Sequence, residues 1–299
     1  MRKLLKWIGI VLGGLVGLMV IAAAALYLRA TLTLTRHYDI QPAAIVIPTD
    51  AASVQRGQHL VAMTCTDCHG ADLSGKTFFS DPSIGVINTA NLTPGRGGPG
   101  TAFTDADWVR AIRHGVDNHG RGLVAMPSDA FYHFSDADLA SMVAYLKTLP
   151  PVDKQLPPTA FTPVATVLIG AGAFGRIISA EAIPHTAPRP AAPPVAVNAE
   201  YGGYLVEVLH CSGCHGAKLS GGKPPEPGSP LAPNLTPGGE LGFWKEADFV
   251  KALRTGVTPS GRTLTRFMPW QTYSHMNDDE LGALWLYLTS LPKQASTTQ

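Results

Sequence analysis

The chain has 299 residues, 45% of them hydrophobic, with 23 basic against 22 acidic side chains and a net charge of +1. That length leaves room for two domains of ordinary size. The near-neutral balance excludes no fold, but it speaks against a nucleic-acid binder, which needs a basic face with stacking aromatics.

At the N-terminus Arg2, Lys3 and Lys6 precede an uncharged run from Trp7 to Leu28 that ends at Arg29. A helix over those 22 residues rises about 33 Å, enough to cross a hydrocarbon core of about 30 Å. Basic residues before the span keep the N-terminus in the cytoplasm and put the rest of the chain on the opposite face. The alternative is a cleaved signal peptide, for which Ala22 to Ala25 offer small residues, but the apolar run continues through Leu26, Tyr27 and Leu28. A retained membrane anchor over residues 1–30 is therefore expected.

Next comes Cys65-Thr66-Asp67-Cys68-His69, which returns 146 positions later as Cys211-Ser212-Gly213-Cys214-His215; the two motifs use all four cysteines of the chain. Two thiols three positions apart can each form a thioether to a haem vinyl group, while the adjoining imidazole reaches the iron. The expected cofactors are two covalently bound haems c, with His69 and His215 as proximal ligands. A zinc site or a redox dithiol could use Cys-x-x-Cys pairs too, but neither requires the trailing histidine at both sites.

The rest of the chain is one module written twice. Asn91 to Pro94 and Asn234 to Pro237 both read Asn-Leu-Thr-Pro, Phe103 to Gly115 answers Trp244 to Gly256, and Gly120-Arg121 answers Gly261-Arg262. Met126-Pro127 answers Met268-Pro269, and Tyr145-Leu146 answers Tyr287-Leu288. Two domains over 53–150 and 199–293 follow. In each, a final helix opens on a polar cap, Ser135 with Asp138 and Asn277 with Glu280. Its core stripe is Leu139, Val143 and Leu146, or Leu281, Trp285 and Leu288. Gly115 and Gly256 mark the end of a middle helix. No stretch shows strand alternation. A domain of this size is short of core, so the haem is expected to supply apolar bulk.

Between the modules, residues 151–198 form a proline-rich connector, with Pro151, Pro157, Pro158 and Pro163 at its start and Pro184, Pro188, Pro190, Pro193 and Pro194 in its tail. Its apolar piece, Val164 to Gly175, is too short to span a bilayer and is expected to pack across the domain interface or lie on the membrane surface.

Each iron needs a sixth ligand or an open site, and that choice separates a carrier from an enzyme. Met126 and Met268 occupy matched places before the last helix of each module and are the expected ligands. His133 and His275 also align between the copies and are the rivals; His114 and His119 have no partner in the second module.

The haem motifs, Asn-Leu-Thr-Pro, Gly-Arg and Met-Pro elements together resemble the membrane-associated multihaem cytochrome c subunits of bacterial periplasmic alcohol and gluconate-type dehydrogenases, built from class I cytochrome c domains. Those subunits usually carry three haems, whereas this chain has two motifs. The resemblance implies an all-α protein with a transmembrane helix followed by two class I cytochrome c domains. It also implies that a backbone carbonyl before each Asn-Leu pair, at Ala90 and Pro233, accepts the second N–H of the proximal imidazole. The expected function is single-electron transfer from a periplasmic dehydrogenase, or another redox protein, to the respiratory chain, by a non-enzyme held in the bacterial inner membrane with its haem domains in the periplasm. The alternatives are a dihaem cytochrome c peroxidase, whose modules should be asymmetric, and a haem-bearing subunit of a terminal oxidase complex.

Overall fold

A computed structural model describes residues 1–99, 102–187, 191–224 and 228–297; Pro188 and Pro190 of the connector lie outside the described residues. The chain opens with a long helix, α1 (Arg2–Leu34), whose apolar side chains are exposed from Leu4 through Leu28 except at Ala23 and Leu26. It runs past the uncharged stretch because nothing between Arg29 and Leu34 breaks it.

The first module is built from α2 (Ala51–Thr64), α3 (Thr66–His69), α4 (Asp105–His114), α5 (Ser128–Phe131) and α6 (Asp136–Leu146). The connector holds α7 (Pro163–Gly170), and the second module repeats the plan in α8 (Ala199–Val208), α9 (Cys211–His215), α10 (Glu246–Thr255), α11 (Trp270–Tyr273) and α12 (Asp278–Ser290). The caps form as the sequence reads: Ser135 Oγ accepts from the Asp138 N–H, and Asn277 and Glu280 form a full capping box. Gly115 and Gly256 end α4 and α10 with φ of +64° and +70°, a region open to glycine and strained for other residues.

Within each module the first and last helices cross with almost nothing between them. A Cβ on Gly57 would lie 1.8 Å from the Ser141 carbonyl oxygen, and one on Gly202 would lie 2.0 Å from that of Ala283. Leu60, Leu139, Met142 and Val143 fill the core around the first crossing, and Leu205, Leu281 and Leu284 that around the second. The two glycines make Arg56 the counterpart of Tyr201 and His59 that of Tyr204. The second module then carries one additional residue before its haem motif, His210, accommodated by a left-handed turn with φ +59°.

Three short strands depart from the expectation of none. β1 (Thr77–Asp81) pairs antiparallel with β2 (Gly85–Asn88), and β2 pairs antiparallel with β3 (Ala160–Phe161) from the connector. These strands are too short to show a period in the sequence. The apolar piece of the connector, expected at the domain interface or on the membrane surface, packs along α1 through α7. The segment that follows α1 is tied to the first module: the Tyr38 N–H donates to the Gly120 carbonyl at 2.8 Å, and Arg110 Nε donates to the Ile40 carbonyl at 2.9 Å.

The modules face each other through their paired helices and a half-buried polar network. Arg56 donates to Asp138 of its own module (3.0 Å) and to Glu280 (3.2 Å) and Tyr201 Oη (3.1 Å) of the other. His59 Nε2 lies 2.7 Å from Glu280, and Tyr204 Oη donates to Asp138 at 2.6 Å. Glu280 is fully buried.

Candidate functional site

In both modules α3 or α9 presents the haem motif as one tight turn, closed by a glycine at φ +85° (Gly70) or +77° (Gly216). The chain then folds back over the histidine. Gly75 N–H donates to the His69 carbonyl at 2.8 Å, and Gly221 N–H to that of His215 at 2.9 Å. Leu73 and Leu219, both at positive φ, pair with the Leu92 and Leu235 N–H groups at 2.8 and 2.7 Å. This brings the segment before each Asn-Leu pair across the imidazole.

His69 Nδ1 lies 2.8 Å from the Ala90 carbonyl oxygen, and His215 Nδ1 lies 2.7 Å from that of Pro233. A carbonyl only accepts, so Nδ1 carries the proton and the Nε2 lone pair is left for a metal. Burial lowers the pKa of both histidines, against the opposing pull of the carbonyls, which favours the neutral imidazole that metal ligation needs. Ala90 in place of proline therefore changes nothing at the acceptor.

The Asn-Leu-Thr-Pro elements have a structural task. Asn91 Oδ1 accepts from the Thr93 N–H (2.9 Å) while its amide donates to the Val152 carbonyl (2.8 Å) just past α6. Asn234 does the same with Thr236 (2.8 Å) and Gln294 (2.9 Å) past α12. Each asparagine thus locks the carbonyl-bearing loop to the end of its module.

The four thiols sit half-buried beside these turns. Burial pushes Cys65 up to about 11 and Cys68 and Cys211 up to about 12. Such thiols carry little thiolate, unlike an active redox dithiol. Among the described residues no group of three or more His, Cys, Asp or Glu side chains is placed to hold a metal ion.

In the second module an apolar cavity of about 580 Å³ opens beside Cys211, Cys214 and His215, and Met268 lines it together with Phe249 and Leu284. Its size and lining suit a large flat cofactor, with two tethers and one imidazole on one side and a thioether available on the wall. In the first module Met126 is half-buried against the core. Its carbonyl accepts from Ser179 Oγ at 2.6 Å, so the connector clamps the methionine loop. Sequence reasoning misses Ser179, which has no counterpart in the repeat.

The histidine rivals lie elsewhere. His133 is exposed, 3.9 Å from Glu207 of the other module, and His275 is exposed and does not line the cavity. His114 is buried against His185, with their Nδ1 atoms 3.0 Å apart, and His119 is exposed.

Tyr273, which lines the second cavity, is half-buried; its hydroxyl donates to the Leu209 carbonyl at 2.9 Å, and burial raises its pKa well above the ordinary value.

The family described as cytochrome C oxidase, cbb3-type, subunit III matches residues 52–146, and the family described as cytochrome c matches residues 199–292. The chain is 30% identical to the fructose dehydrogenase cytochrome subunit of Gluconobacter japonicus, over 84% of this chain and 56% of that one. It is 31% identical to the gluconate 2-dehydrogenase cytochrome c subunit of Pantoea cypripedii, over 83% of this chain and 62% of that one. It is 29% identical to a diheme cytochrome c-type protein of Cereibacter sphaeroides, over 88% and 93%. The chain thus spans little more than half the length of the dehydrogenase subunits and nearly all of the dihaem protein.

Proposed function

We propose that this chain, whose modules match the cbb3-type oxidase subunit III and cytochrome c families and which carries two covalently bound haems c, is a membrane-anchored carrier of single electrons between a periplasmic dehydrogenase and the respiratory chain. When bound, each haem supplies one reversible one-electron couple.

The protein's part is to hold and tune that couple. Cys65 and Cys68, and Cys211 and Cys214, tether the vinyl groups. His69 and His215 would bind the iron through Nε2, held in orientation by the Ala90 and Pro233 carbonyls, which also make the imidazoles better donors. Met126 and Met268 would supply thioether ligands, which raise the potential and disfavour binding of small ligands. The apolar walls of the second cavity exclude water and favour the less charged, reduced state.

The observation that carries this reading is the doubled geometry: the same motif, the same carbonyl on Nδ1 and the same methionine position in both modules. A peroxidase needs one site that opens, and the two sites are alike in these elements. The relatives that cover more than four-fifths of this chain include cytochrome subunits of dehydrogenases, which supports a dehydrogenase as electron donor. The match of the first module to an oxidase subunit supports a second reading, a fixed haem-bearing subunit of a terminal oxidase. α1 supports the anchor: it is long and apolar enough to cross a membrane and is uncovered over its most apolar stretch. Near-neutral charge gives weak long-range steering, so fast transfer calls for co-location with the partner.

Stopped-flow mixing tests the assignment. Slow oxidation of the reduced protein by hydrogen peroxide, with rapid reduction of the oxidised protein by membranes containing a sugar or alcohol dehydrogenase, is the expected result. Multi-turnover peroxide consumption, with one iron becoming five-coordinate, overturns it.

A further inference from the structure

We propose that residues 163–175 form a second membrane attachment, an apolar dip that enters the lipid alongside α1 and takes the acyl chains of the bilayer as its ligand. The proposal rests on the reading of α1 as a transmembrane anchor.

No charged residue occurs from Gln155 to Gly175. Within this stretch α7 packs on α1 so closely that a Cβ on Gly170 would lie 2.0 Å from the Leu26 carbonyl oxygen. Leu26 belongs to the uncharged run of α1, so the contact lies at hydrocarbon depth. Between Arg2 and Ala30 the covered positions on α1 are Ala23, Leu26 and Ala30, spaced three and four apart along one face. Val164 and Leu168, four residues apart on α7, are instead 66% and 40% exposed. In water that outer face would leave apolar surface uncovered; in lipid it needs no cover.

A hydrocarbon setting asks backbone polar groups to find partners within the protein, and several in this segment do. Thr162 caps α7 by accepting from the Ala165 N–H at 3.1 Å. The return turn is closed by Ala171 to Val167 (3.0 Å), Gly172 to Ile169 (2.9 Å), Ala173 to Leu168 (3.0 Å) and Gly175 to Gly172 (3.1 Å). Charge resumes at Arg29 on one limb and at the exposed Arg176 on the other, as expected where a chain leaves the core for the headgroups. Two attachments fix the rotation of the first module against the membrane, which one helix alone does not.

Full-length protein carrying Leu168→Cys or, separately, Val164→Cys is matured with both haems, so that the native thiols are consumed, then spin-labelled and reconstituted into phosphatidylcholine and phosphatidylglycerol vesicles. Collision with oxygen, which concentrates in hydrocarbon, is compared with collision with a water-soluble nickel chelate. The expected oxygen-to-nickel ratio at both sites is several-fold above that of a label at Asp279, exposed on α12. A label at Val16 reports on the anchor itself. Water-like ratios at 164 and 168 with a lipid-like ratio at Val16 overturn the dip and leave the anchor. A water-like ratio at Val16 overturns both. Labels at 164 and 168 shielded from both reagents show a protein cover and also overturn the dip.

Discussion

Arg56 donates to Glu280 across 3.2 Å, and this ion pair joins two modules at residues that start as helix-cap chemistry on one side and helix surface on the other. Burial alone would raise the Glu280 carboxyl; His59, the Asn277 N–H and Arg56 outweigh it and hold the pKa below the ordinary value of 4.5. Tyr201 also faces the carboxylate at 3.4 Å.

Since the folded carboxyl is depressed, its contribution to docking is present above about pH 4.5 and is lost as pH falls through the lower folded value. The haem spectra should persist in that range while small-angle scattering reports separation of the modules. Glu280→Gln should remove this acid transition and cost about 2 kcal/mol at neutral pH, because it leaves half-buried Arg56 and His59 facing a neutral amide; thermal melts of the wild type and variant give the difference.

Gly57→Ala and Gly202→Ala should each destabilise the module that contains them by about 2–3 kcal/mol, since a methyl group would meet a backbone carbonyl that cannot move aside. Denaturant titration followed at the two haem absorption bands assigns each loss to its module.

Met268→Ala and Met126→Ala should each abolish the sulfur-to-iron absorption band of one haem and lower its potential. His133→Ala and His275→Ala should leave both unchanged, since these imidazoles are exposed. Redox titration with absorption at the far-red band separates the outcomes.

Ser179→Ala should affect only the first haem. Its hydroxyl holds the Met126 carbonyl, and removing one hydrogen bond of this kind costs about 1 kcal/mol. The expected signature is faster exchange of Met126 by added imidazole, measured by the rate of loss of its absorption band, with the Met268 band unaffected.

Much of the site is legible in the sequence itself. The cysteine spacing, the trailing histidines and the doubled Met-Pro elements are local patterns whose chemistry is carried by the residues themselves, and the helix caps at Ser135 and Asn277 are read from four-residue windows. What escapes is non-local. β2 meets β3 from more than seventy residues away, α7 finds α1 across most of the first module, and Ser179 reaches a methionine that nothing near it in sequence suggests. Asp138 and Glu280 are visible as capping acids, but their second role needs the partner helices in place. The alignment of Arg56 with Tyr201 is hidden by the additional residue His210, whose left-handed turn shifts the register by one.

The polar network between the modules also governs which surfaces recognise each other. Duplicated domains begin with identical faces and could pair with copies of themselves in neighbouring chains. Here Arg56 and His59 belong to the first module, and their counterparts Tyr201 and Tyr204 belong to the second. Two first modules placed together would set guanidinium against guanidinium; two second modules would bury two Glu280 carboxylates among tyrosine hydroxyls with no cation to share. Only the unlike pair gives the buried Glu280 carboxylate a guanidinium partner, and the connector supplies that pair within every chain. The divergence of two helix positions has thus made a symmetric repeat choose its own sibling over its twin.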